Sequence, residues 1–129
     1  IIMNMHHCLL CLGSNYEYSN HLHAARMALE VLFPNIRFGK EMVTEAIGGK
    51  WLSPFGNQLA KLTTPLDAEE IRYLLKQMEK NHGRLPEDRE HGIVKLDIDL
   101  LMYDEEILKP EDMKRDFIKK GMEEFKHIH

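Results

Sequence analysis

The sequence predicts an α+β fold with strands and helices in the order β-α-β-β-α-β, and three observations predict it. Leu96-Asp97-Ile98-Asp99-Leu100 alternates apolar and acidic residues, the period of a half-buried strand. Leu22, Ala25, Leu29 and Leu32 fall on one helical face, and Ile71, Leu74, Leu75 and Met78 on another. Short apolar runs bounded by turn residues, not further helices, flank each of these stripes.

Each element has its own warrant. Leu9-Leu10-Cys11-Leu12 is an apolar run stopped by Gly13-Ser14-Asn15 and reads as a buried first strand. Ser19 or Asn20 is the expected cap of the first helix, and Pro34 closes it. Ile36 to Thr44 and Gln58 to Thr63 read as the next two strands, separated by a loop rich in Gly48, Gly49, Ser53, Pro54 and Gly56. Asp67 with Glu70 three residues on has the form of a capping box for the second helix, which Gly83 ends. A polar stretch from Arg84 to Gly92 follows, and within it Glu87-Asp88-Arg89-Glu90 reads as a solvated, mobile loop. Lys95 to Tyr103 is the clearest strand, and from Glu111 onward Met113, Phe117, Ile118 and Met122 outline a weakly amphipathic helix. This order is the split-βαβ, ferredoxin-like arrangement: an antiparallel sheet with both crossover helices on one face, plus a C-terminal helix. The expectation is one domain over residues 1–129.

Composition excludes several classes of function. Seventeen Lys and Arg against 21 Asp and Glu give a net charge of −4, which disfavours a chain that coats nucleic acid or anionic membrane. An RNA-binding module shares the element order, yet this first strand lacks aromatic residues and the last carries two acids on one face. No apolar run approaches the roughly 20 residues that span a bilayer. The opening Ile1-Ile2-Met3-Asn4-Met5-His6-His7 lacks the pattern of a signal peptide, and Met3 and Met5 are candidate native starts. Cys8 and Cys11 are too few for a disulfide framework, which predicts a reducing cytoplasm. Their CxxC spacing puts them on opposite faces of a strand, where buried structural thiols are the simpler account than a zinc site. The expected partners are small molecules, and the expected assembly is a monomer or weak homodimer.

Chemistry concentrates on the alternating strand. Asp97 and Asp99 share one face, roughly 7 Å apart, while Leu96, Ile98 and Leu100 point to the other. Carboxylates set in an apolar strand need a cation or donors, and Mg²⁺ fits, because it takes a few carboxylates and completes its shell with water and phosphate oxygens. A merely wet edge strand is the alternative. In this fold order the first and last strands are neighbours, so the Gly13-Ser14-Asn15 turn should lie beside the aspartates.

Together, Leu12-Gly13-Ser14-Asn15, Asn57, Glu79, Gly83-Arg84 and Lys95-Leu96-Asp97-Ile98-Asp99-Leu100-Leu101 resemble the 6-hydroxymethyl-7,8-dihydropterin pyrophosphokinases of folate biosynthesis, over most of residues 8–103. The resemblance implies transfer of a diphosphate group from ATP to the pterin, with Asp97 and Asp99 holding two Mg²⁺ ions. It implies a pterin site of Thr44, Ile47, Gly48 and Asn57, with Phe55 and Phe117 on the ring faces and Trp51 in a lid. It also implies that Arg84 opens a loop over the triphosphate, with Lys76, Glu79, Leu100, Lys109 and Arg115 near the nucleotide.

The chain departs from the family pattern at Pro86, Glu90, His91 and Val94, where basic or aromatic residues are usual, and Lys109-Pro110-Glu111-Asp112-Met113 lacks the usual His. It also stops before the family's further C-terminal stretch. Lys95, on the same strand face as Asp97, is the expected substitute cation. These departures make a catalytically impaired pterin- or nucleotide-binding relative the alternative reading.

Overall fold

The computed structural model describes residues 4–45 and 54–128; Ile47, Gly48 and Trp51 lie outside the described residues. The elements follow as β1 (His6–Ser14), α1 (Tyr18–Leu32), β2 (Arg37–Phe38), β3 (Met42–Thr44), β4 (Phe55–Thr64), α2 (Ala68–Asn81), a 3₁₀ turn (Arg89–His91), β5 (Asp97–Tyr103), β6 (Glu106–Ile107), α3 (Pro110–Met113) and α4 (Asp116–Ile128). The strands form one antiparallel sheet in the order β2-β4-β1-β5-β6, with β3 also paired to β4. This is the ferredoxin-like α+β arrangement, with the first strand at the centre between β4 and β5.

Strand alternation sorts the apolar residues into two cores. Leu10, Leu12, Ile98 and Leu100 pack beneath Leu22, Ala25 and Leu29 of α1 and Ile71 and Leu75 of α2. On the opposite face, Leu9, Leu59 and Leu101 meet Ile118 and Phe125 of α4. A 13-residue helix is marginal alone. Burying these two side chains contributes about 1.5–3 kcal/mol each and fixes α4 to the sheet. Cys8 belongs to the first core and Cys11 borders the second, the opposite placement that their spacing predicts.

Asp67 accepts from the Glu70 amide at 2.8 Å and the Glu70 carboxylate accepts from the Asp67 amide at 3.1 Å, completing the capping box of α2. Three local expectations are corrected. Helix α1 starts at Tyr18 behind Glu17, whose left-handed backbone (φ 42°) reverses the chain, so neither Ser19 nor Asn20 caps it. The expected strand from Ile36 to Thr44 is split into β2 and β3. Buried Gln58 explains the break: its amide donates to Gly39 O at 2.7 Å, while Arg26 bridges Gln58 and Glu41, both at 2.8 Å. Gly39 N–H still reaches Leu59 O at 2.9 Å, and beyond it the side-chain bonds take the place of the ladder as far as β3. The stretch from Arg84 to Gly92 is not a loose loop but a folded turn closed on Asp88, described below.

Candidate active site

Strands β1, β4 and β5 end together at one edge of the sheet, where Gly13 pairs with Asn57 on one side and Asp97 on the other. Asn15 fixes this end. Its carboxamide donates to Gly92 O at 2.8 Å and accepts from Val94 N–H at 2.6 Å, while its amide donates to Val94 O at 2.9 Å. The Gly-Ser-Asn turn therefore clamps the segment leading into β5, next to the aspartates.

A cleft of about 530 Å³ opens there. It brings together Asp97, Asp99, Arg84, Asn57, Phe55, Phe117 and Arg115 of the expected site residues, and it adds Arg89, Asp112, Glu45 and Cys11. Four carboxylates and three guanidiniums thus share its wall. Burial first, and then the neighbouring Asp97 carboxylate, push the Asp99 carboxyl up to about 7. The Asp97 charge beside it disfavours the ionised form of Asp99, and among the described residues the ion pair that reaches the two carboxylates is the long one from Arg84 to Asp97, at 3.9 Å. Cys11, opposite Asp99 in the ladder, is pushed up to about 12 by burial and by the same two carboxylates, and so stays a thiol.

Behind Asp97 stands Glu79, 1% exposed. Its carboxylate accepts the Ile98 N–H at 2.8 Å, between the two aspartates in sequence. Arg84 lies 3.3 Å from Glu79 and 3.9 Å from Asp97, and also donates to Leu96 O at 3.3 Å. Lys76 approaches Glu79 at 3.3 Å from the solvent side. Burial raises the Glu79 carboxyl and the Ile98 N–H opposes it.

On the other wall, the Asn57 amide donates to Thr44 Oγ1 at 2.9 Å and to Met42 O at 3.3 Å, joining β3 to β4. Arg115 stacks over Phe117 at 4.6 Å. The glycine at position 56 admits Tyr18, whose ring would meet an added Cβ at 2.3 Å.

Several expected site residues sit elsewhere. Strand β5 begins at Asp97, so strand alternation does not reach Lys95. The Lys95 ammonium turns away from the cleft to donate to Gly83 O at 2.9 Å and pair with Asp88 at 3.5 Å. Leu100 is buried in the α1–α2 core. Lys109 precedes α3, close enough to Asp99 to lower its carboxyl in opposition to burial, but it does not line the cleft. Arg89 had no local signal: it lies in a run of charges, and only the folding of that run turns it to the cleft.

Residues 9–127 match the family model described as 7,8-dihydro-6-hydroxymethylpterin-pyrophosphokinase. The chain belongs to that family. Among curated proteins none matches it. The cleft residues of this pterin-pyrophosphokinase family member come from the three central strands, from the turn that carries Arg84 and Arg89, and from the segment of α3 and α4.

Proposed function

We propose that the chain transfers the β,γ-diphosphate of ATP to the hydroxymethyl oxygen of 6-hydroxymethyl-7,8-dihydropterin, with Mg²⁺, within folate biosynthesis. The observation that carries this reading is the aspartate pair, set side by side with Arg84 3.9 Å from Asp97, in a cleft that also holds Asn57 and the aromatic side chains of Phe55 and Phe117. The donor set fits a hard divalent cation. No group of three or more His, Cys, Asp or Glu that could hold a metal occurs among the described residues. Asp97 and Asp99 would therefore supply two ligands, leaving the other positions for water and phosphate oxygens, and two ions would share the pair. Bound Mg²⁺ supplies neutralisation of phosphate charge.

The residues of the chain then have distinct work. Asn57, held by Thr44, presents its remaining polar atoms to the heterocycle edge, and Phe55 and Phe117 offer apolar faces to the flat ring. Arg84 and Arg115 bring positive charge to the phosphates. The hydroxymethyl oxygen attacks the β-phosphorus, the bond from that phosphorus to the oxygen retained by AMP breaks, and the hydroxyl proton leaves to solvent. Because the charge is spread over phosphate oxygens, positioning and electrostatics carry the rate.

A second reading, a pterin- or nucleotide-binding relative with impaired turnover, has in its favour that Val94 lines the cleft wall and Lys95 faces away from it. AMP release from ATP and Mg²⁺, with and without the pterin, separates the two. Pterin-dependent AMP supports the transferase. Calorimetric pterin binding without AMP supports the second reading, and neither binding nor AMP from a folded sample overturns both. Small-molecule substrates, a single domain, a monomer or weak homodimer and a cytoplasmic setting belong to the same proposal; among the described residues no helix is long and apolar enough to cross a membrane.

A further inference from the structure

The segment between Gly83 and Val94 is ordered by one buried acid. Asp88 accepts the Leu85 N–H on its carboxylate at 2.9 Å, and its carbonyl accepts His91 N–H at 3.0 Å and Ile93 N–H at 2.9 Å. Gly92, in the left-handed region at φ 69°, returns its N–H to Arg89 O at 3.1 Å. Lys95 then closes the turn from outside, bonded to Gly83 O, paired with Asp88 and set over the Tyr16 ring at 5.8 Å. The staple joins both ends of the turn, so the backbone at its crest is fixed.

That residue is Arg89, which lines the cleft. Of the three cleft arginines, Arg84 is engaged by Glu79 and by Leu96 O, and Arg115 lies over Phe117. Among the described residues no hydrogen bond or ion pair engages the Arg89 side chain. A guanidinium carries five N–H donors in a planar fork that matches phosphate oxygens. Here such a fork is carried by an exposed residue at the cleft, on a backbone the turn fixes and with its donors unspent, at the position before Glu90, where a basic residue is usual in the family.

We propose that the Asp88–Lys95 staple is a positioning device that holds Arg89 at the cleft to bind the phosphate chain of the nucleotide. The proposal rests on the nucleotide-binding reading above and adds a residue and a support that the family pattern does not supply. Lys95 acts through Arg89 and touches no substrate.

The test is calorimetry of the intact chain with Mg²⁺ and the non-hydrolysable α,β-methylene analogue of ATP, which needs no turnover. Arg89→Ala should weaken the analogue about tenfold or more, the usual loss of a charge-assisted bond, with Arg89→Lys between and pterin affinity unchanged. Lys95→Met, which keeps the apolar stem, should weaken the analogue about threefold to fivefold and add little in the Arg89→Ala background. It should also speed trypsin cleavage after Arg89, which a free loop would show equally in both proteins. Analogue affinity unchanged by Arg89→Ala, or an Arg89 site cut equally fast with and without Lys95, overturns the staple while leaving the proposed function standing. A folded wild-type chain that does not bind the analogue overturns both.

Discussion

At one end of the β1–β5 ladder, where Gly13 pairs with Asp97, two aspartates crowd each other in a cleft; at the other end, Asp104 follows the last residue of β5 and is fully provided with donors. Asp104 accepts from His7 N–H at 2.8 Å and pairs with His6 at 2.7 Å, and His6 stacks on Tyr103 at 4.8 Å. These contacts hold the Asp104 carboxyl below the usual carboxylate range, the His6 hydrogen bond first. Asp99 is shifted the opposite way. One strand pair thus carries acids of the same type in two roles. Partners that lower a carboxyl mark a structural tie; an acid raised beside a second acid in a cleft is the arrangement on which the proposed Mg²⁺ site rests.

The largest expected effect comes from removing the crowded pair. Asp97→Ala and Asp99→Ala should each reduce AMP formation by about a thousandfold or more, since each removes one of the two side chains proposed to hold the metal. Thermal unfolding of Asp99→Ala should show little or no loss of stability at pH 8, because folding disfavours the Asp99 charge. Near-normal turnover in both single variants would remove the metal assignment. Chelation of Mg²⁺ with EDTA should abolish turnover in the wild type and be reversed by adding the ion back.

Glu79 sharpens the comparison, because it is buried beside the pair yet provided with partners. Glu79→Ala leaves the Ile98 N–H without its acceptor and Arg84 without its nearest anion, and should cost about 2–4 kcal/mol by denaturant unfolding. Glu79→Gln, which keeps an acceptor for Ile98, should recover much of that. Equal losses in the two variants would mean that the charge, not the Ile98 bond, holds the strand.

These contrasts also explain what could be read ahead of the structure. The β5 aspartates, the capping box of α2 and the adjacency of β1 and β5 were legible because period-2 alternation, a three-residue spacing and fold order are local or topological rules. The staple was not. Arg84 to Gly92 reads as solvated charge, since its order comes from Lys95, outside the segment, and from burial of Asp88. Lys95 itself misled the alternation argument because β5 starts two residues later. The break between β2 and β3 was hidden for the same reason: Gln58, some 20 residues downstream, supplies the bonds that interrupt the pairing.

The smallest effect, and the one that sets the sign of the comparison, is at Asp104. Its backbone is left-handed (φ 53°), a region that Asn tolerates as well as Asp, so Asp104→Asn changes the charge and not the turn. A carboxyl held low by folding contributes stability above its unfolded pKa, and that contribution is lost as pH falls through the lowered folded value. The variant should therefore unfold at a slightly lower temperature than wild type at pH 7, with the gap closing in acid. Asp99→Asn should do the reverse in the metal-free protein. A carboxyl held high is favoured below its unfolded pKa, and its contribution is lost as pH rises to about 7, so this variant should be the more stable one at pH 8 and match wild type near pH 3. Melting curves across pH 3–8 in EDTA would show two differences of opposite sign. Two of the same sign would mean that the ends of the ladder do not differ, and that crowding at Asp97 and Asp99 says nothing about a cation.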